Sequence, residues 1–273
     1  MKIVYSHLLN FLEKKPSLEE LSKKLFQLGH EHELEGEIFN LEITPNRGDC
    51  LSLKGLARDL NYFYSAKLDQ KIFEDELPKA NFKFENKAEN LCPNISFVEI
   101  EIEGEVKKYA PYLENYFKDL SLNKNNFFTD ISNYLAYETG QPTHCYDAEK
   151  LAGHLVLEKR NKKEHFKTLL GNEIELEGEN LVFTVNGVAV DLAGTMGDES
   201  TCCSAETSKV LVECAYFKPQ EILGKARKYN LTSEASYKFE RGVDYLAQEK
   251  VLRRFIAIVQ DHVKVKSCAI KSE

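Results

Sequence analysis

The sequence predicts an α+β fold: a small N-terminal α/β domain followed by a larger, mixed-sheet α+β domain. Three observations carry this expectation. Strand and helix signals follow one another without regular βαβ alternation. Val98, Ile100 and Ile102 alternate with Glu99, Glu101 and Glu103, as in a strand with one wet face. Asn186-Gly187 between two apolar runs supplies the paired positive φ angles of a type I′ hairpin.

Taken in order, Leu18, Leu21, Leu25 and Leu28 fall at helical spacing. Ser17 and Glu20 form a capping box after Pro16, and Gly29 stops the helix. Phe39, Leu41 and Ile43 alternate as a strand. The turn Thr44–Asp49 then delivers Asp49 as the expected cap of a second helix, whose buried face is Leu53, Leu56, Ala57, Leu60 and Phe63. From Ser65 to Pro93 the chain turns to Lys, Glu and Asn with little periodicity, which reads as a linker. The organisation expected is therefore a small domain over 1–70, a linker over 71–93, a larger domain over 94–245, and a C-terminal helix and tail over 246–273. Within the larger domain a helix is expected near Asn125 to Tyr137, the hairpin at Leu181–Val190 and a buried strand at Lys209–Ala215. Helices are expected near Pro219 to Tyr229 and from Asp244 to Asp261.

Composition sets the outer bounds. Of 273 residues, 42% are hydrophobic and 29% charged, with only 14 Gly and 7 Pro, the balance of a globular protein with a real core. No long uncharged apolar run is present, so neither a membrane span nor a secretion signal is expected. Seven scattered cysteines without paired CxxC knuckles point to a reducing, cytoplasmic setting, with neither a disulfide framework nor a zinc ribbon. The net charge of −8 argues against coating nucleic acid by bulk electrostatics. Local basic faces remain candidates at Lys159-Arg160, Lys162-Lys163, Lys225, Arg227, Lys228 and Arg253-Arg254, although solvated surface lysines account for most of them.

Chemically distinctive residues crowd into a few segments: DISNY, GQPTHCYD, DLAGTMGD, LVECAYF and LTSEASYKFERGVD. None is a P-loop, a dinucleotide fingerprint, a zinc-protease helix or a nucleophile elbow. His144 follows Gly-Gln-Pro, in a constrained loop that either presents its ring to a cleft or holds a structural hydrogen bond. Glu213 lies among Leu211, Val212, Cys214 and Ala215. A lone carboxylate there costs several kcal/mol unless it is paired or functional, or unless alternation turns it to solvent. Gly194 and Gly197 allow a backbone to approach a ligand closely, as they would allow a plain turn. His30, His32 and the Cys202-Cys203 pair lack companion ligands, so no metal is expected.

ITPNRGDCLSLKGLARDL, DISNYLAYETGQPTHCYDAEKL, VAVDLAGTMG, VLVECAYFKPQEI and LTSEASYKFERGVD resemble successive landmarks of the bacterial phenylalanyl-tRNA synthetase β subunit. The resemblance covers that family's N-terminal small domain and its central editing domain. GHEHELEGEIFNLEITPNRGD runs through without room for the OB-fold insertion, and the later domains of the family are not matched. Aminoacylation, ATP and magnesium are therefore not carried over, and no cofactor is expected. The resemblance implies a domain that hydrolyses tyrosine wrongly attached to the phenylalanine tRNA. A hydrophobic phenylalanine pocket rejects a hydroxylated isostere poorly, so a second sieve must read the hydroxyl. By resemblance Glu213 accepts the phenol O–H, and His144 places the tRNA 3′ end or the water. Ser132 and Asn133 form the pocket edge. Gly194 and Gly197 bring a loop to the substrate, and Ser233 and Ala235 line the amino-acid pocket. Two departures stand out: Ser233 replaces the usual threonine, and Asp198 stands where the family often has a second glycine. The expected partner is an aminoacylated tRNA, with an α subunit possible and neither DNA nor membrane involved. The expected function is a freestanding editing deacylase. The alternatives are a non-catalytic RNA or aromatic amino-acid binding module, or a truncated β subunit that requires an α-subunit partner.

Overall fold

A computed structural model describes residues 1–273 and is α+β. The chain begins with β1 (Lys2–Val4), α1 (Tyr5–Leu9), α2 (Leu18–Gln27), β2 (Glu31–Glu35), β3 (Ile38–Glu42) and α3 (Leu53–Tyr64). Next come β4 (Phe84–Asn86), β5 (Asn94–Glu103), α4 (Pro111–Asp119), α5 (Phe127–Thr139), β6 (His144–Asp147) and β7 (Leu155–Asn161). They are followed by β8 (Glu164–Lys167), β9 (Glu173–Leu176), β10 (Glu179–Val185), β11 (Val188–Leu192), β12 (Met196–Gly197) and β13 (Lys209–Tyr216). The chain closes with α6 (Pro219–Ile222), α7 (Lys225–Lys228), α8 (Glu234–Phe239), α9 (Gln248–Gln260) and β14 (Lys264–Ser272).

Local chemistry explains many of the boundaries. The Ser17 hydroxyl accepts from the Glu20 N–H and caps α2, while the Glu20 carboxylate accepts from the Tyr64 hydroxyl and leaves the reciprocal half of the capping box unmade. Asn186 and Gly187, with φ of 51° and 81°, close the β10–β11 hairpin. Asp49 is not the cap of α3. Residues Pro45–Cys50 form a 3-10 turn, and Ser52 caps α3 through the Gly55 N–H at 2.9 Å. Asp49 instead holds Arg47 and Arg58.

Four sheets organise the strands: β1-β3-β2, β12-β11-β10-β7-β4, β14-β5-β13-β6 and the β8-β9 ribbon. All pairings are antiparallel except β4 with β7. One face of the four-stranded sheet, carrying Phe97, Tyr146, Leu211 and Ala215, packs on Leu157, Phe183 and Val190 of the five-stranded sheet. The opposite face, carrying Val98, Ile100, Val210 and Val212, shares one core with α5, α9 and the N-terminal Ile3, Leu21, Leu41 and Leu56.

Three expectations on organisation change here. The stretch read as a linker supplies β4, which pairs with β7, and its Ala80 N–H donates to Ile270. The stretch read as a tail is β14, hydrogen-bonded along β5 from Lys264↔Glu103 to Ser272↔Ser96. The helix expected near Pro219 to Tyr229 is broken into α6 and α7 at Gly224, whose φ of 76° leaves the helical region.

Candidate functional site

Where the two large sheets part company, β6 and β13 face the β11–β12 turn across a cavity of about 180 Å³, with α5 and α8 along its sides. Its position follows from register. Glu213 is directly opposite His144 in the β13–β6 pairing, and it projects to the inter-sheet face shared by Leu211 and Ala215. Across the gap, Asp191 of β11 is opposite Gly197 of β12.

Glu213 is 4% exposed and points inward, so alternation does not turn it to solvent. Burial, reinforced by the Asp191 carboxyl, pushes its proton affinity well above the ordinary carboxylate value, and no hydrogen bond offsets this. Asp191 is likewise pushed up by burial, with His144 and the Tyr146 hydroxyl, which donates to it at 3.2 Å, opposing. His144 is pushed down by burial, against the pull of Asp191, so its ring is held neutral. The His144 Nε2 is sealed without a hydrogen-bond partner. The ring meets Tyr146 edge-on, 4.3 Å between centroids.

The glycines have separate reasons to be glycine. A Cβ on Gly197 would lie 2.9 Å from His144 Nε2, closer still to Cε1, and 3.1 Å from Leu169. Only a bare backbone lets the imidazole lie there. Gly194 has φ of 64°, and a Cβ would meet Ile222 and Phe217 at 3.0 Å.

Seven of the eight residues expected at the site line this one cavity: His144, Glu213, Ser132, Asn133, Gly194, Gly197 and Ala235. The Ser132 hydroxyl bonds the Thr143 carbonyl at 2.6 Å and its hydroxyl at 2.7 Å, fixing the loop that enters β6. Asn133 is exposed at the rim. Ser233 is the exception. Its hydroxyl caps α8 through the Ser236 N–H and donates to the Thr195 carbonyl at 2.6 Å, so it braces the turn behind the pocket and does not line it. Asp191 was missed, although the argument that singled out Glu213, an acid between apolar neighbours in a strand, applies equally to VAVDLA.

Other candidates resolve into structure. Burial raises the Cys145 thiol well above its usual value and Cys203 to about 12, so neither is a ready thiolate. His30 does approach Cys50 and Asp59, but the Arg47 guanidinium donates to Asp59 at 2.6 Å and to Cys50 at 2.7 Å, filling the position a cation would need. Of the basic clusters, Lys159 is held by Glu221, Arg160 by Glu158 and Glu164, Lys163 by Glu175, and Arg254 by Glu138. No helix is long and apolar enough to cross a membrane.

A family model described as the B3/4 domain matches residues 98–264. The chain belongs to the B3/4 domain family. Every residue of the cavity described above falls within the B3/4 match, which begins inside β5 and ends at the first residue of β14. The chain is 31% identical over 232 residues to the phenylalanine–tRNA ligase beta subunit of Pectobacterium atrosepticum, covering 84% of this chain and 29% of that protein. It is 34% identical over 236 residues to the corresponding subunit of Neisseria gonorrhoeae, with 83% and 29% coverage. The chain thus spans under a third of the length of these relatives. A solved N-terminal fragment of the phenylalanyl-tRNA synthetase β subunit from Pyrococcus horikoshii aligns with a TM-score of 0.45 and 14% identity, over 99% of this chain and 74% of that one.

Proposed function

We propose that this B3/4 chain hydrolyses the ester of tyrosine mischarged on the phenylalanine tRNA, using the cavity between β6, β13 and the β11–β12 turn. The observation that carries the reading is Glu213: a buried carboxyl without an ion-pair or hydrogen-bond partner, directly opposite His144 and favoured by burial in its protonated form. Such a group has both a donor and an acceptor to offer a phenol. A phenylalanine ring would leave it desolvated and unsatisfied, at a cost of about 1–3 kcal/mol, or roughly 5- to 150-fold in selectivity. The small cavity suits one amino-acid side chain, well below the ~300–1,000 Å³ of larger ligand sites.

In the reaction a water oxygen adds to the ester carbonyl, the bond to the ribose oxygen breaks, and that oxygen leaves with a proton. An aminoacyl ester is already activated, so positioning supplies much of what is needed. Neutral His144 orients the water or the 3′-terminal ribose, while the Gly194–Gly197 turn, braced by Ser233, forms the wall against which the substrate lies. The adjacent ribose hydroxyl completes proton transfer, and no covalent nucleophile enters the step.

The test is ester loss from tyrosyl- and phenylalanyl-tRNA, both charged on the phenylalanine tRNA, with wild type and Glu213→Ala. Fast loss of tyrosine alone, slowed or made unselective by the substitution, is expected. Equal hydrolysis of both esters refutes the sieve. The similarity to beta subunits favours a second reading, a part that acts only with an α subunit. Activity that appears only on adding that subunit, with which the chain co-purifies, would establish it. Binding of free tyrosine without any deacylation would mark a non-catalytic module.

A further inference from the structure

A cavity of about 610 Å³ lies apart from His144 and Glu213, where the Pro45–Cys50 turn meets the loop Arg241–Asp244. These are the TPNRGD and ERGVD segments, which the ester-hydrolysis reading leaves without a role. Their backbones touch: a Cβ on Gly48 would lie 2.8 Å from the Arg241 carbonyl oxygen and 2.9 Å from that of Gly242. The first turns of α3 and α9 complete the wall, bringing Lys54 and Lys250 to the same cavity.

Charge in this cavity is unevenly spent. Arg58 is paired with Asp49, Arg241 with Glu240, and Arg254 with both oxygens of Glu138. Asp244 accepts from the Leu246 N–H. Lys250 reaches only the fully exposed Asp69, at 3.9 Å. Lys54 forms no ion pair or side-chain hydrogen bond, although it is partly buried and burial draws its proton affinity down against the pull of Glu138. α9, a helix of 13 residues, starts at Ala247 with no side-chain cap, and Ala247 lies on the cavity wall. Its first N–H groups and the positive end of its dipole are therefore open to an anion beside two ammonium groups. Leu68, Ile72 and Val251 give an otherwise polar wall, with Asn46, Ser52 and Gln141, an apolar patch.

We propose that this cavity is a nucleotide-phosphate site, with the phosphate held between Lys54 Nζ, Lys250 Nζ and the first turn of α9, and the base against Leu68, Ile72 and Val251. The volume is that of a small-ligand site. The inference stands apart from the hydrolytic reading, because none of these residues lines the Glu213 cavity.

Calorimetric titration of the full chain tests it, using AMP, adenosine, inorganic phosphate and a short single-stranded adenylate RNA. AMP should saturate, adenosine should bind far more weakly, and inorganic phosphate should compete. Lys54→Met should weaken AMP by about tenfold or more, with a melting temperature at or above wild type because an unpaired, partly buried ammonium has been removed. RNA binding tighter than AMP identifies a strand as the source of the phosphate, and AMP binding as tight or tighter identifies a free nucleotide. Either supports the site. It is overturned if none of the phosphate probes saturates at millimolar concentration, if adenosine matches AMP, or if Lys54→Met binds AMP like wild type.

Discussion

Glu213→Gln keeps the shape of the side chain and removes its titration. In the wild-type native state burial and Asp191 hold the Glu213 proton well above the ordinary value of 4.5, whereas the unfolded chain releases it near that value. Between those two points the native state binds more protons than the unfolded state. Stability therefore falls as pH rises through that window, by about 1.4 kcal/mol per pH unit for this one group. Asp191, raised from 3.8, adds a second slope of the same sign. His144, pushed down from 6.5, acts the other way below about pH 6.5, where its unfolded form takes a proton that the buried ring refuses. Above that pH His144 no longer opposes the slope set by Glu213. The glutamine variant should therefore lose stability with pH less steeply than wild type, by about 1.4 kcal/mol per unit, and overtake it as pH rises. Denaturant midpoints at half-unit steps from about pH 5 to about 8, with unchanged m values and coincident fluorescence and circular dichroism transitions, measure the difference. Parallel slopes, or a wild type that gains on the variant as pH rises, would show that the native carboxyl is ionised and paired. The phenol-reading role of Glu213 would fall with it.

Gly197→Ala should cost about 1–3 kcal/mol by overpacking and should abolish ester hydrolysis, because the new methyl meets a His144 ring already packed on Tyr146. Unchanged midpoints and rates would contradict this. Ser233→Ala should lose about 1–2 kcal/mol with the α8 cap and the brace on Thr195, while Ser233→Thr retains most of both, as thermal melting will show. Glu138→Ala should cost about 3–5 kcal/mol, because it strands the Arg254 guanidinium, 9% exposed, without either of its carboxylate bonds. Joint replacement of both residues by apolar ones should recover much of that loss in chemical denaturation.

What the sequence disclosed was local. The Ser17 cap, the Asn186-Gly187 turn and the acid stranded in LVECAYF each specify their own surroundings within a few residues. Asp49 misled because it and Ser52 are both good caps, and the choice fell to the arginines that Asp49 could hold. The β14 strand was hidden because KVKSCAIKS is only half-buried and shows weak alternation, and its partner β5 lies far back in the chain. Pairing of distant strands is fixed by shared burial and leaves no nearby signature. The pocket was legible as a set of residues while its geometry was not. That Glu213 faces His144 depends on the β13–β6 register, and that Ser233 looks away depends on which group α8 needs for its first turn.

The pairing of β14 with β5 has a consequence during synthesis. Val98 emerges from the ribosome long before Ile270, its neighbour in the sheet. At about 5–20 residues per second the wait is roughly 10–35 s. Throughout that interval the edge of β5 that later takes β14 presents open backbone N–H and C=O groups to other nascent chains. The glutamates of β5, later partnered by Lys209, Lys264 and Lys266, then serve as gatekeepers that keep neighbouring polysome products from zippering onto it.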